Sequence, residues 1–222
     1  MLKVVSFLKR RPDFTLSAFS QYWRTTHKAH AMKLVEAGFI KGYIQNHRTD
    51  HEVPGLEAMA DGSPELWVDD IGALQRLVAS PEYLQGAGPD EANFMVPPAI
   101  ACVARERIIQ EAAEPDRLKG ALKLMLVFQR APERVADRFA DGWMTDERPW
   151  LMPDSQPLRL TRQAVIAGET PAPFASVECT WWRDIGTFRQ AWDRRQSSGL
   201  AGSAWLRGLL VHEEVVVAPP SI

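Results

Sequence analysis

The sequence has 222 residues, of which 45% are hydrophobic and 24% are charged, so its composition is that of an ordinary globular chain. With 26 basic and 28 acidic residues the formal net charge is -2, which excludes a strongly basic nucleic-acid or membrane-surface binder. No apolar run approaches the ~18 residues that a membrane-spanning helix needs. The two cysteines, Cys102 and Cys179, lie far apart, so we expect a reduced, cytoplasmic protein.

The first half of the chain predicts the order strand, helix, strand, strand, helix, strand. Apolar residues that recur every three or four positions indicate the helices, and dense β-branched and aromatic residues indicate the strands. We expect the first helix to begin with a cap at Thr15 or Ser17 and to end at Gly38, and the second to begin with a cap at Asp70. The Gly- and Pro-rich segment 81–99 is expected to be a loop. The predicted strands are residues 3–9, 39–48, 64–69 and 100–109.

A second copy of this order is predicted in the second half of the chain. A shift of 120 positions aligns Lys3 with Lys123. The same shift aligns Trp23 with Trp143, and collinear matches of this kind are typical of an internal repeat. The predicted domains are a first repeat that carries the candidate site, a linker and a degenerate second repeat, at residues 1–109, 110–120 and 121–222.

The predicted fold class is α+β. Each repeat has the βαββαβ order of a ferredoxin-like fold. The first strand is apolar on both faces, with Val5 and Phe7 on one side and Val4 and Leu8 on the other, so both faces must be covered. We therefore expect two ferredoxin-like repeats packed sheet to sheet as an intramolecular dimeric α+β barrel.

Four spaced motifs in the first half together resemble the EthD domain family, which belongs to the dimeric α+β barrel superfamily. The second half keeps the skeleton without the motifs, since Glu147 stands near the place of His27. The resemblance implies a role in small-molecule catabolism or polyketide-type biosynthesis, in a superfamily of cofactor-free cyclases, isomerases, lyases and oxygenases and of haem-binding enzymes. The motifs are Lys3-Val-Val-Ser-Phe-Leu-Lys-Arg-Arg-Pro12, Phe19-x-x-Tyr22-Trp23-x-x-x-His27, Tyr43-Ile-Gln-Asn-His47 and Asp61-Gly62-x-x-Glu65-Leu66-Trp67.

The histidines are the first candidates for catalysis. His27 and His30 share a predicted helical stripe with Phe19 and Trp23, and the aromatic pair recurs in the second half whereas the histidines do not. On the second predicted strand, His47 shares a face with Tyr43 and could converge with His27. Two imidazoles with pKa values of about 6.5 can exchange protons with a substrate near neutral pH. The alternatives are core histidines satisfied by a carbonyl and, for His47, a solvent-facing position.

Other polar and aromatic residues complete the predicted site. Glu65 could act as an acid or base, with a salt bridge to Arg10 or Lys9 as the alternative, and Asp61 could instead only shape a turn. The predicted catalytic residues are His27, His47, His30 and Glu65, and the predicted substrate-binding residues are Tyr22, Trp23, Tyr43, Asp61 and Trp67.

These residues predict a cofactor-independent lyase, isomerase, dehydratase or cyclase that uses histidine acid–base catalysis on a hydrophobic, oxygenated small molecule. We expect no cofactor and no metal, because phosphate-binding loops are missing and the histidine spacings fit zinc only weakly. The expected partner is that small molecule, with no nucleic acid and no membrane, and a homodimer of the whole chain is left open. The alternatives are a non-catalytic binding or accessory protein of an oxygenase system and a haem-binding barrel with His27 as ligand.

Overall fold

The computed structural model describes residues 1–128, 156–166, 174–197 and 207–220. Trp143 and Glu147, which entered the comparison of the two halves, lie outside these ranges, as does Phe139. Among the described residues, no helix is both long enough and apolar enough to cross a membrane.

The strands of the described residues belong to one sheet. Its order is β2-β4-β1-β5-β7-β8-β6-β9-β3, and β2, at one end of that order, also pairs with β9. The strands are β1 (Leu2–Phe7), β2 (Gly42–Arg48), β3 (Glu57–Ala58), β4 (Gly62–Val68), β5 (Ile100–Gln110), β6 (Leu122–Phe128), β7 (Arg159–Val165), β8 (Ser176–Trp182) and β9 (Arg207–Val217).

This pairing shows that the predicted fold class is wrong. The structure is not two ferredoxin-like α+β repeats packed sheet to sheet as a dimeric α+β barrel. Over the described residues it is a closed antiparallel β-barrel of eight longer strands with a few helices, and the two-residue β3 adds to β9 in parallel. The physical reason lies in the long strands β5 and β9, each 11 residues. Each of them hydrogen-bonds to a strand on either side, so the sheet continues where the sequence pattern predicted that one sheet ends. The predicted domain ranges stay a prediction.

Two compact units can be distinguished by their internal contacts. The first comprises Met1–Arg48, Ala60–Ala104 and Glu214–Ile222, and the second comprises Thr49–Met59 and Arg105–Glu213. The helices of the first unit are α1 (Leu16–Tyr22), α2 (Lys28–Glu36), α3 (Ile71–Val78) and α4 (Gly88–Phe94), and the second unit contains α5 (Ile185–Ser197).

In the first unit, the predicted first helix is present but is interrupted by a π turn. Thr15 caps α1 as expected, its hydroxyl accepting from the Ala18 N–H at 3.1 Å. The π turn Trp23–His27 joins α1 to α2 and takes up about one residue more than an α turn. The buried stripe therefore continues from Trp23 to Ala31, which is 5% exposed. His27 and His30 lie beside this stripe and not on it.

The prediction that segment 81–99 is a loop is wrong, because the segment is mainly helical. A second π turn, Tyr83–Ala87, leads directly into α4. Pro89 stands in the first turn of α4 with Asp90 and Glu91 beside it, which is favourable at a helix N-terminus. The Gly and Pro residues that suggested a loop therefore mark a helix start.

Glycine at position 62 allows α1 and the π turn to lie directly on β4. A Cβ at Gly62 would come within 2.5 Å of the Trp23 ring and 3.2 Å of the Phe19 ring. Phe19 also stacks on Phe94 of α4, with ring centroids 5.5 Å apart. These rings form the buried contact through which the helices are held on the sheet.

The second unit packs α5 on its own strands. Asp184 caps α5 by accepting from the Thr187 N–H at 2.7 Å, and Phe188 packs with Trp182 in the core. Trp181 and Trp182 point to opposite faces of β8, as successive residues of a strand do. Trp181 instead contacts Lys123, whose Nζ lies 4.7 Å from the ring centroid.

We expect the variant Gly62→Ala to lower the free energy of unfolding by about 1–3 kcal/mol, the usual cost of overpacking. The added methyl group would force Trp23 and the π turn away from β4. Urea unfolding followed by tryptophan fluorescence measures the change. Gly86→Ala is the control, because its nearest atom, His30 Nδ1, lies at an ordinary 3.5 Å. Equal effects of the two substitutions would contradict the prediction.

Candidate functional site

The centre of the site is a hydrogen bond between His27 and Asp90. His27 ends the first π turn, and Asp90 lies in the first turn of α4, which follows the second π turn. The His27 Nδ1 atom lies 2.9 Å from the Asp90 Oδ2 atom. π turns occur frequently at functional sites because they re-aim side chains that an α-helix would direct elsewhere.

Asp90 is held in place by two further donors. The Tyr22 hydroxyl donates to Asp90 Oδ1 at 2.7 Å, and the Asn93 side-chain amide donates to the same oxygen at 3.0 Å. Because the carboxylate can only accept, His27 must carry its proton on Nδ1. Its Nε2 atom is then a free acceptor, and within the described part of the chain it has no hydrogen-bond partner. The His27 side chain remains 12% exposed.

The surroundings shift the pKa values of this group. Burial lowers the pKa of His27 below its ordinary value, and the bond to Asp90 only partly opposes this. Burial acts to raise the pKa of Asp90, but hydrogen bonds from Tyr22, Asn93 and His27 outweigh it, and the pKa of Asp90 lies below its usual range. Burial and the neighbouring Asp90 raise the pKa of Tyr22. At neutral pH the arrangement therefore holds a neutral imidazole beside a carboxylate.

Aromatic rings form one side of the His27 environment. The Phe94 ring centroid lies 4.8 Å from that of His27 and 5.4 Å from that of Tyr22, with the Tyr22 ring stacked on it. Phe94 is fully buried. Burial of this ring fixes the plane of the imidazole and contributes to the desolvation that lowers the pKa of His27.

His47 lies in a different, enclosed network. Its Nδ1 atom lies 3.1 Å from the Ser20 hydroxyl, and its Nε2 atom lies 3.1 Å from Gln45 Oε1. The Gln45 amide donates to the Tyr43 hydroxyl at 2.7 Å, and Trp23 Nε1 donates to the same hydroxyl at 3.1 Å. The predicted face of β2, with Tyr43 and His47, does meet the helix. On this face His47 is held through both ring nitrogens and is 2% exposed, and Trp23 and Tyr43 are buried.

Glu65 and Trp67 point to the opposite face of the sheet. In the pairing of β2 with β4, Glu65 lies opposite Ile44, whereas Tyr43 and His47 belong to the alternate positions. Glu65 is fully buried and forms an ion pair with Lys3, at 2.9 Å. The Lys3 ammonium also lies 4.5 Å from the centroid of the Trp67 ring. Glu65 thus forms a salt bridge, which was the alternative to an acid–base role. Its partner is Lys3 and not Lys9 or Arg10.

Asp61 and His30 lie at the margins. Asp61 accepts from the Arg10 backbone N–H at 3.0 Å and pairs with Arg48 Nη1 at 2.9 Å, so it ties the end of β2 to the segment after β1. His30 Nδ1 is buried without a hydrogen-bond partner among the described residues, next to Gly86. The structure thus brings Tyr22 to His27 and places Glu65, Trp67 and Asp61 elsewhere; the predicted roles stay predictions.

Three residues of the site were not predicted from the sequence. Asp90 and Asn93 fall in the segment predicted to be a loop, although Pro89 followed by two acidic residues is a recognisable helix start. Glu214, on β9, accepts from Arg24 Nε at 3.0 Å and from Lys28 Nζ at 3.3 Å. Sequence alone offers no signal for a pairing across 190 positions.

The described residues contain no group of three or more His, Cys, Asp and Glu side chains placed to hold a metal ion. Nε2 of His27 has no hydrogen-bond partner among the described residues, and a neutral imidazole nitrogen of this kind can accept a proton.

The family model for the EthD domain matches residues 11–98. The matched segment includes His27, His47 and Asp90. The match ends before the second half and gives no support to the predicted tandem repeat.

Solved structures with the same fold are similar along almost the whole chain. An anthrone oxidase-like protein is 12% identical, with a TM-score of 0.61 over 96% of this chain and 92% of that one. A "putative monooxygenase" from Lactobacillus acidophilus NCFM is 9% identical, with a TM-score of 0.54 over 98% and 96% of the two chains. At such identities the likeness shows a shared fold. A search of curated proteins found no match.

The lowered pKa of His27 predicts a pH-dependent stability. Between pH 8 and 5 the unfolded chain takes up a proton before the folded chain does, so the free energy of unfolding should fall as the pH falls below about 6.5. The loss is about 1.4 kcal/mol for each pH unit by which the pKa is lowered. Urea titrations of the wild type and of His27→Gln should show a flatter pH dependence in the variant.

The exposed residue His51 supplies the control for this titration. His51→Gln, which removes an exposed imidazole, is the matched variant for comparison. A wild-type stability that is constant or that rises on acidification through this range would contradict the prediction. Asp90 has a depressed pKa as well, but its contribution is lost only at a lower pH, as the pH falls through its folded-state pKa.

Proposed function

We propose that this protein is an enzyme that moves a proton on a hydrophobic, oxygenated small molecule, with His27 as the general acid–base and Asp90 as the residue that orients it. The single observation that carries the proposal is the hydrogen bond from His27 Nδ1 to Asp90, which leaves Nε2 as a proton acceptor without a partner among the described residues. A base needs this combination of a fixed tautomer and an available nitrogen.

The reaction class that suits this pair is proton removal from a carbon atom next to, or conjugated with, a carbonyl group. The Nε2 atom would take the proton, and the electron pair of the C–H bond would pass to the carbonyl oxygen to give an enolate. The imidazolium that forms is stabilised by the Asp90 carboxylate and then returns the proton to carbon or oxygen. This step is common to isomerases, to dehydratases that lose a β-hydroxyl group, and to cyclases that form carbon–carbon bonds.

The pKa directions support this role at neutral pH. Because burial lowers the pKa of His27, the imidazole is mainly neutral there and ready to accept a proton. Asp90 stays ionised, because its pKa is below the usual range, and it offsets the charge that develops on the ring. General acid–base catalysis of this kind contributes about 10²–10⁴ to the rate.

His47 and Glu65 have structural roles in this mechanism. Both ring nitrogens of His47 have side-chain partners, so it fixes Ser20 of α1 to β2. Glu65 is paired with Lys3 on the other face of the sheet. Neither presents a free atom on the side of Nε2.

The name of the anthrone oxidase-like neighbour supplies a first test compound. Anthrone is hydrophobic and oxygenated, and its methylene protons are acidified by the conjugated carbonyl. 2-Tetralone is a second compound with an acidic C–H bond and a different ring system. Both can report proton transfer in deuterated buffer without any oxidant, provided that oxygen is excluded.

We expect the wild-type protein to accelerate deuterium exchange into these compounds, as measured by mass spectrometry under anaerobic conditions. His27→Gln should slow the catalysed exchange by about 10²–10⁴-fold. Asp90→Asn should slow it by at least about 10-fold, because an amide lacks the negative charge and can also donate to Nδ1, so it no longer fixes the tautomer. His51→Gln is the matched control and should exchange at the wild-type rate.

Two outcomes would overturn the proposal. One is equal exchange by the wild type and His27→Gln. The other is tight binding of the compounds, seen as quenching of tryptophan fluorescence, with no acceleration of exchange at any pH between 6 and 9. That second result would favour the alternative of a non-catalytic binding protein.

A further inference from the structure

Glu214 of β9 contacts the helical segment on both sides of His27. Its Oε2 atom accepts from Arg24 Nε at 3.0 Å, and its Oε1 atom accepts from Lys28 Nζ at 3.3 Å. Arg24 lies within the π turn Trp23–His27, and Lys28 is the first residue of α2. One carboxylate therefore bridges the turn that ends in His27.

We propose that Glu214 is a positioning residue for His27, which fixes the π turn from the C-terminal strand and offsets the charges of Arg24 and Lys28 on the same helical segment. The inference rests on the proposed function of His27 for its catalytic consequence. Its structural content, a carboxylate that holds the His27 turn, stands on the two ion pairs alone.

The geometry explains why one residue can have this effect. The two oxygens of the Glu214 carboxylate pair with different cations, Arg24 and Lys28, which are four positions apart. The carboxylate therefore restrains both ends of the irregular turn. Asp90 fixes the imidazole from the side of α4, and Glu214 fixes the backbone that carries it from the side of β9. A side chain held at both its tip and its base loses most of its rotational freedom, which is what proton transfer at a fixed distance requires.

The charges around His27 come from several elements. Asp90 on α4 bonds to its ring, with Tyr22 on α1 sharing that carboxylate. His30 on α2 acts as a like-charge neighbour that lowers the pKa of His27. Arg24 and Lys28 are two cations on the same helical segment, and both pair with the Glu214 carboxylate, which also lies 4.0 Å from His47 Nε2 on β2.

The ion pairs are too exposed to act mainly on stability. The side chains of Arg24, Lys28 and Glu214 are 34–40% exposed, and exposed pairs contribute only about 0–1 kcal/mol each. Their effect should therefore appear at His27, and less in the free energy of unfolding. Glu214 also lies outside residues 11–98, so the segment that matches the EthD domain does not contain the whole site.

The test is a proton NMR titration of the His27 ring in the full chain, with its signal assigned by its loss in His27→Gln. In Glu214→Gln the two cations are no longer offset, so the pKa of His27 should fall by about 0.3–0.5. In Arg24→Gln the carboxylate retains only Lys28, so the pKa should rise by a similar amount. Glu114→Gln, which removes an exposed pair with Arg117, is the control and should leave the pKa unchanged.

Opposite shifts in the two variants are the signature of the proposed role, since loosening of the fold alone would move both in one direction. Shifts of the same sign, or none in Glu214→Gln, would overturn the proposal. In parallel, deuterium exchange into anthrone should slow about 3–10-fold in Glu214→Gln, with the pH midpoint of exchange displaced in the same direction as the NMR midpoint. Because the NMR shifts do not require turnover, they remain decisive if His27 proves not to be catalytic.

Discussion

The structure of the site depends on the burial of one carboxylate, Asp90. An ionised group that is 6% exposed is costly unless donors surround it, and Tyr22, His27 and Asn93 supply them. Two of these donors come from the first helical segment and one from α4 itself, so satisfying the charge also fixes the distance between α4 and the segment 16–36. The bond from His27 also sets the tautomer of its imidazole. Position, protonation and packing of the imidazole thus follow from a single electrostatic requirement.

The two faces of β2 and β4 serve separate environments. One face carries Tyr43, Gln45 and His47, whose hydrogen bonds reach Trp23 and Ser20 and anchor the helix. The other face carries Glu65, Trp67 and Asn46, with Lys3 of β1 paired to Glu65. Since successive side chains alternate between faces, a short motif such as Glu65-Leu66-Trp67 contributes to both at once. The close spacing of site residues in the sequence was therefore a poor guide to which of them meet in space.

Local features could be read from the sequence, and long-range ones could not. The caps at Thr15 and Asp70 depend on neighbouring residues, and the structure has them where a hydroxyl or carboxylate precedes an apolar run. His27 stood out because a packing role did not account for it. The closure of the sheet was missed because strand partners depend on chain segments far apart. Asp90 was missed because its Gly-Pro context was taken for a loop, and Glu214 because nothing local distinguishes it from its neighbour Glu213.

The π turn at Trp23–His27 has a consequence for how such chains can diverge. It holds one residue more than the α turn that it replaces, so it has the form of an insertion within a helix. Removing a single residue there would restore regular α-helical geometry. The residues that form the strands, the helix caps and the buried rings of α1 would all still be present. The removal would also rotate His27 by roughly 100° relative to α1, away from Asp90. In this chain a change of one residue in length separates a helix that only packs on the sheet from one that also presents an imidazole to a carboxylate.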